Sequence, residues 1–364
     1  MPLKWKKVWV SDETFESAAV IDVNNDGVPD IVSGGFWYQG PDFRKKHQIG
    51  QVKQYGEYFD DFSTIPLDVN GDGKMDVITG GWWGNTLRWW ENPGEAGKPW
   101  KEHIVAETGN IETTRAWDID GDGIVEIVPN TPCARDVKIF KLKTGKDGKG
   151  TGEFEKIVIH QFSEKETQGH GLGCGDIAGN GRMDIILRNG WLECPADPWK
   201  DKWTWHPEFD LGCASIPVLV VDIDGDGRNE MIVGSAHGYG LWWYSWKIVN
   251  GKREWTKHQI DPYNAQYHDM IWKDIDGDGK PELVTGKRHR AHCGNEAGEW
   301  DDYGIYYFKW NGESFSKQVI DYGPIGTAKG TGIYFDIADL RGTGRLDIVA
   351  PGKDGLFVFY NEGL

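Results

Sequence analysis

Short apolar runs punctuate the chain, each bounded by turn residues and each too brief for an ordinary helix. IVSGG at 31–35, VITGG at 77–81 and LVTGK at 283–287 are examples. Such runs read as buried strands. A second recurrent pattern mixes polar with apolar positions: WKKVWV at 5–10, WKEHIV at 100–105, FEKIVI at 154–159, WTKHQI at 255–260 and FSKQVI at 315–320. It reads as the half-exposed outer strand of a repeated sheet.

The apolar runs follow seven copies of one acidic loop. Five are complete: DVNNDGVPD from Asp22, DVNGDGKMD from Asp68, DIDGDGIVE from Asp118, DIDGDGRNE from Asp222 and DIDGDGKPE from Asp274. Two are decayed: DIAGNGRMD from Asp176 and DLRGTGRLD from Asp339. Oxygens at positions 1, 3 and 5, a carbonyl at 7 and a carboxylate at 9 suit one hard cation, and Gly at 6 allows the sharp turn. The expected calcium ligands are Asp22/Asn24/Asp26/Asp30, Asp68/Asn70/Asp72/Asp76, Asp118/Asp120/Asp122/Glu126, Asp222/Asp224/Asp226/Glu230 and Asp274/Asp276/Asp278/Glu282. About five structural calcium ions are expected.

Successive motifs start 46, 50, 58, 46, 52 and 65 residues apart, the size of a four-stranded blade. The last repeat ends after a third strand, GLFVFY at 355–360, so WKKVWV is expected to supply its outer strand. The reading is all-β: a seven-bladed β-propeller in one domain, 1–364, with its ring closed by the N-terminal strand. The loops resemble the FG-GAP/VCBS repeats of integrin α-subunit propellers and of many bacterial propellers. That resemblance implies the propeller and no particular function.

Composition agrees: 50 Gly and 20 Trp suit many short strands, tight turns and aromatic packing between layers. A formal charge of −17 argues against nucleic acid and anionic membrane as partners. No apolar run reaches the length of a membrane span, and MPLKWKKVWV lacks a signal-peptide core. The expected compartment is therefore the cytoplasm if Met1 is the natural start, and otherwise outside it with a leader removed. A monomer is expected. The five cysteines form no C-x-x-C pair, and Cys133, Cys194, Cys213 and Cys293 are expected in loops opposite the calcium loops.

Candidate chemistry comes from the histidines. His47, His103, His160, His206 and His258 fall in or beside outer strands, where a half-exposed structural residue is expected. His170 and His268 stand six residues before their repeat's first Asp, as do Glu112 and Glu16. His237 and Tyr239 lie in SAHGYG, and Arg288, His289 and His292 in GKRHRAHCGNEAGEW, a loop enlarged to about twenty residues where hairpins need about two to five. All should open opposite the calcium loops, with Trp82, Trp83, Arg135, Arg188, Trp191 and Lys353 beside them.

Aromatic shelves beside Arg, His and carboxylates suit a saccharide. One reading is β-elimination on an acidic or keto sugar, with His170 or His268 as base, Tyr239 or His237 as proton donor, and Arg288, Arg188 or a histidine-bound divalent metal against the enolate. The constellation resembles propeller lyases for rhamnogalacturonan, ulvan and rhamnosyl-glucuronate, and the propeller of aldos-2-ulose dehydratase. The alternatives are a lectin-like binding propeller and a glycoside hydrolase using Glu112 with Glu16 or Glu296.

Overall fold

The computed structural model describes residues 2–292 and 294–364. Met1 and Cys293 lie outside the described residues. The rest is strands and turns, and no helix is long and apolar enough to cross a membrane.

Among the described residues the strands group into seven antiparallel units of four and one separate two-stranded hairpin. The first unit pairs Ala19–Ile21, Asp30–Ser33, Phe36–Gln39 and Lys45–Gln48 in chain order. In the seventh, Lys4–Ser11 is the outer strand and pairs antiparallel with Leu356–Gly363. The fourth and fifth units fuse into one eight-stranded sheet, because Leu172–Gly175 and Val218–Val221 pair in parallel. Gly173 permits this approach: a Cβ there would lie 2.3 Å from the Val218 carbonyl oxygen.

Each acidic loop joins the first strand of its unit to the second, and its ninth residue has a structural task. Asp30, Asp76, Glu126, Asp184, Glu230, Glu282 and Asp347 are all buried. Each accepts a hydrogen bond from the backbone N–H of loop position 2, at 2.9–3.3 Å. This bond closes the loop whether or not a cation is held, which explains why the two decayed copies keep that acid.

Seven apolar clusters lie between consecutive units. Val32 and Trp37 of the first pack with Val77 and Trp90 of the second, and the pattern continues round the chain. The seventh cluster joins Val349 and Val358 of the last unit to Ala18 and Ile31 of the first. Near the centre, Arg115 of unit three bonds fully buried Asp269 of unit six at 2.5 Å and also donates to the Ile216 carbonyl. Asp269 also accepts from the Phe335 N–H of the seventh unit at 2.9 Å.

The outer-strand histidines have a specific role. His47, His103, His206 and His258 each stack on a third-strand tryptophan, at 4.0–4.2 Å between ring centroids. Each also bonds a third-strand polar side chain, as His103 does with Glu91 at 2.7 Å. His160 instead meets Phe162 and Trp205.

Candidate functional site

The segments running into the first strands meet on the side opposite the acidic loops. The position six residues before the first Asp is held by Glu16, Phe62, Glu112, His170 and His268 in five units. A cavity of about 320 Å³ opens there. One wall is His170, His237, His292 and Glu112, and the other is Trp82, Trp83, Tyr58 and Phe62.

The polar wall has a definite geometry. Glu112 Oε1 lies 3.1 Å from His268 Nε2 and 3.3 Å from His170 Nε2. His170 Nδ1 donates to the Ala214 carbonyl at 2.7 Å, which in the neutral ring leaves the lone pair on Nε2. His237 Nδ1 is 2.9 Å from a Glu296 oxygen, which fixes the same tautomer in the neutral ring. The two Nε2 atoms then face each other at 2.9 Å. Two lone pairs at that distance repel unless a proton or a cation lies with them. Glu112, His170, His237 and His268 offer ligand atoms all within 4.8 Å of one another, and Glu296 and Ala214 orient two of the rings from behind. The donor set therefore fits a divalent transition metal.

Electrostatics supports that fit. Burial lowers the His237 pKa, and it holds His268 well below the usual histidine range with Arg288 adding to the effect. Burial opposes the charge on Glu112, but His170 and His268 outweigh it and hold the carboxylate well below its usual range. Glu296 is likewise kept low against burial, by hydrogen bonds from His237 and His292. His292 is raised, chiefly by its hydrogen bond to Glu296.

Arg288 is in the cavity wall but is not a free cation. Its Nε donates to Glu16 at 2.9 Å, its second nitrogen reaches the same carboxylate at 3.2 Å, and a third lies 3.6 Å from Glu112. His268 is fully buried behind Glu112, so it cannot touch a ligand directly. Tyr239 is 43 % exposed, bonds Asp301 at 2.6 Å and does not line the cavity. His289 packs on Tyr303, Arg188 pairs with Asp210 and Arg135 reaches the Phe162 carbonyl, all away from the cavity lining. Trp191 is buried in a core cluster and stacks on His206. Cys194 follows the third strand of its unit and bonds Asp184, which puts it on the acidic-loop side, while Cys213 lines the cavity.

The enlarged loop spans 288–302, shorter than expected because its last residues join the strand Tyr303–Trp310. A hairpin of Gln54–Tyr55 and Tyr58–Phe59 clasps it. Tyr58 donates to the Ala291 carbonyl at 2.7 Å, Arg290 pairs with Glu57 at 2.6 Å, and Lys353 donates to the Arg290 carbonyl at 2.6 Å. Tyr55 stacks on Trp83 with centroids 5.1 Å apart. Tyr58 and Phe62 were not among the expected site residues. Phe62 carried the signal, since it occupies the same offset as His170. The hairpin lies in a connector outside the repeat and carried none.

The five complete acidic loops share one hydrogen-bond pattern and differ at position 3. Asp118, Asp120 and Asp122 lie within 4.8 Å of one another, as do Asp222, Asp224 and Asp226, and Asp274, Asp276 and Glu282. In the loops from Asp22 and Asp68 position 3 is an asparagine, which leaves three acids in each where the others have four. The loop's own hydrogen bonds are the same in all five: the position 5 N–H donates to the position 3 side chain, and the position 5 carboxylate accepts from the position 7 N–H. Asn24 Nδ2 donates to Asp26 Oδ2 at 2.9 Å, and Asn24 Oδ1 accepts from the Asp26 N–H at 3.1 Å. Asp26 Oδ1 in turn accepts from the Val28 N–H at 2.9 Å, so both of its carboxylate oxygens are engaged. Asn70 Oδ1 accepts from the Asp72 N–H at 3.1 Å, and its Nδ2 points to Glu91 at 3.5 Å. What the asparagine adds is a donor: its amide can satisfy a neighbouring carboxylate, which an Asp there cannot do.

Burial, with added repulsion from the neighbouring loop acids, raises Asp30 to about 6, Asp76 to about 7 and Glu230 to about 7. In two loops a lysine enters the cluster: Lys141 bonds Asp120, Asp122 and Glu126, and Lys309 bonds Asp276 and Asp278.

Residues 68–128 and 222–285 match the FG-GAP-like repeat family. No curated protein matches the chain. Among solved structures, the chain is similar to an Agrocybe aegerita lectin described as recognising non-reducing terminal N-acetylglucosamine. The identity is 15 %, the TM-score 0.50, and the match covers 98 % of this chain and 85 % of the lectin. It is also similar to the BBS1 N-terminal region solved in complex with ARL6, at 9 % identity and TM-score 0.52, over 99 % of this chain and 96 % of that one. At these identities the likeness is one of fold. The chain is thus an all-β, propeller-like protein carrying FG-GAP-like repeats.

Proposed function

We propose that the chain is a monomeric, closed seven-bladed propeller, stiffened by calcium in its complete acidic loops, that binds a saccharide and eliminates across one of its C–O bonds. The observation that carries the reading is the meeting of the His170 and His237 lone pairs beside Glu112, opposite an aromatic wall. The pairing of Lys4–Ser11 with Leu356–Gly363 and the shared core of the first and last units support ring closure. Calcium in the first loop requires the Asn24 amide to release Asp26.

Trp82, Trp83 and Tyr58 give the apolar face of a sugar ring a place to stack. The cavity volume is within the usual range of small-molecule pockets, about 300–1,000 Å³. Because Glu16 and Glu112 neutralise Arg288, positive charge for an enolate must come from elsewhere. A divalent cation held by His170, His237 and Glu112 would supply Lewis acidity there. His292, half exposed and bonded to Glu296, is the group placed for proton transfer. In the reaction, the proton beside the carbonyl or carboxylate passes to a base and a C=C bond forms. The β C–O bond breaks, and the leaving oxygen keeps the bonding pair and takes up a proton.

Hydrolysis is disfavoured because it needs a carboxyl held protonated, whereas Glu112 and Glu296 are both kept ionised. The likeness to the Agrocybe lectin favours the plainer alternative, a saccharide-binding propeller without turnover. Incubating the manganese- or zinc-loaded protein with uronate-containing and keto sugars separates the readings. Elimination gives a product with a new double bond or its ketone tautomer, absorbing in the ultraviolet. A saturated product that has gained water would point to hydrolysis, and binding without any product would leave the lectin-like reading.

A further inference from the structure

Aligning the sheets by register puts one third-strand position beside every acidic loop. The residue after the loop's ninth pairs with the third strand: Ile31 with Tyr38, Val77 with Trp90, Ile127 with Phe140, Met231 with Tyr244 and Leu283 with Phe308. The next residue along is therefore equivalent in all five complete loops. It is Gln39, Glu91, Lys141, Ser245 and Lys309.

Only two of these are cationic, and both reach the cluster. Lys141 Nζ lies 2.6 Å from Asp120, 2.9 Å from Asp122 and 2.8 Å from Glu126. Lys309 Nζ lies 2.9 Å from Asp278, 3.3 Å from Glu282 and in hydrogen-bond contact with Asp276. Each ammonium thus touches positions 3, 5 and 9, the side chains that would share a calcium ion. In the first of these loops the Trp199 indole N–H also donates to Asp120 Oδ2, at 2.6 Å. Lys74 and Arg228, at position 7 of two other loops, each hold only the position 5 carboxylate. The donor that Asn24 offers Asp26 is a neutral amide and brings no charge to the loop.

We propose that Lys141 and Lys309 serve as built-in counter-ions, so that loops 118–126 and 274–282 close without calcium while loops 22–30, 68–76 and 222–230 take it. The inference rests on the calcium reading of the complete loops. An ammonium supplies the charge that the carboxylates need, and its three donors match three carboxylate oxygens. Two loops would then be insensitive to the calcium level of their surroundings, at the cost of the tighter grip of a dication.

The test is calcium content by elemental analysis of the full chain after equilibration with calcium and desalting. About three ions per parent chain, rising to about five in the Lys141→Met/Lys309→Met double variant, is the expected result. Ser245→Lys, which moves the lysine into the loop from Asp222, should lower the parent count by about one and covers the case in which the double variant does not fold. About five ions in the parent would overturn the counter-ion role and leave the calcium reading intact. None in the parent or in the double variant would overturn both. An unchanged count in the double variant, or in Ser245→Lys, would also overturn the proposal.

Discussion

Arg115 and Asp269 form an ion pair between units three and six with its carboxylate fully buried, and replacing Arg115 by Met tests how the units are tied together. Asp269 is fully buried, and Arg115 is its one cationic partner among the described contacts. Removing one member of such a pair costs about 3–5 kcal/mol, because the other charge stays buried. An unfolding entropy of about 2.1 cal/mol/K per residue over this length gives about 0.8 kcal/mol per kelvin, so the melting temperature should fall by about 4–7 °C. Burial already raises the Asp269 pKa to about 6, against the lowering effect of Arg115. Without Arg115 it rises further. A carboxyl whose folded pKa exceeds its unfolded value is destabilising above that pKa and is relieved as pH falls through it. Arg115→Met should therefore lose most at pH 8 and least at pH 5, and Arg115→Met/Asp269→Asn should recover part of the loss at pH 8. Tryptophan-fluorescence melts at fixed calcium measure all three. A single variant melting within about 1 °C of the parent at pH 8 would refute the buried pair, as would a larger loss at pH 5.

His170→Ala or His237→Ala should lower turnover by about 10²–10⁴ with little change in melting temperature, whereas His268→Ala should also destabilise, being fully buried. Glu296→Gln should weaken manganese or zinc binding about 10- to 100-fold by calorimetry, because it orients His237 from behind. Calcium-stripped protein should melt higher at pH 5.5 than at pH 8, since Asp30, Asp76 and Glu230, raised to about 6, 7 and 7, gain protons over that interval and lose their mutual repulsion. Calcium should abolish that difference, and its persistence in saturating calcium would contradict the loop assignment. Deleting residues 1–11 should yield aggregates on size exclusion, because it exposes the edge of Leu356–Gly363.

The repeat made most of the fold legible. The spacing of DxDxDG loops located the strands flanking each one, and the missing fourth strand of the last unit pointed to Lys4–Ser11. The fused fourth and fifth units were not legible, because the pairing depends on the absence of a side chain at Gly173. Spacing also treats Asn and Asp at loop position 3 alike, whereas the Asn24 amide donates to Asp26, which an Asp there could not do. In the candidate site, the shared offset before the loops located Glu112, His170 and His268, but offset alone does not give depth. His268 lies behind Glu112, while His237 and His292 arrive from loops between second and third strands. Arg288 looked like a free anchor for an anion, and Glu16, a distant residue in sequence, takes that charge. Trp191 looked like a sugar shelf because LRNGW resembles a loop, yet its strand turns the ring inward onto His206. Tyr58 and Tyr55 sit in a connector outside the repeat, where periodicity carries no information.

The sharing of each apolar cluster by two neighbouring units has a consequence for how the protein comes apart. In an open array of repeats, the terminal members touch one neighbour only, so they fray first and need polar caps. Here the seventh cluster removes that distinction, since Ala18 and Ile31 give the last unit the same two-sided burial as every other. Unfolding any one unit exposes two cores at once, wherever it starts. The proposed ring therefore has no weakest end, and its loss of structure begins as a breach between two neighbours.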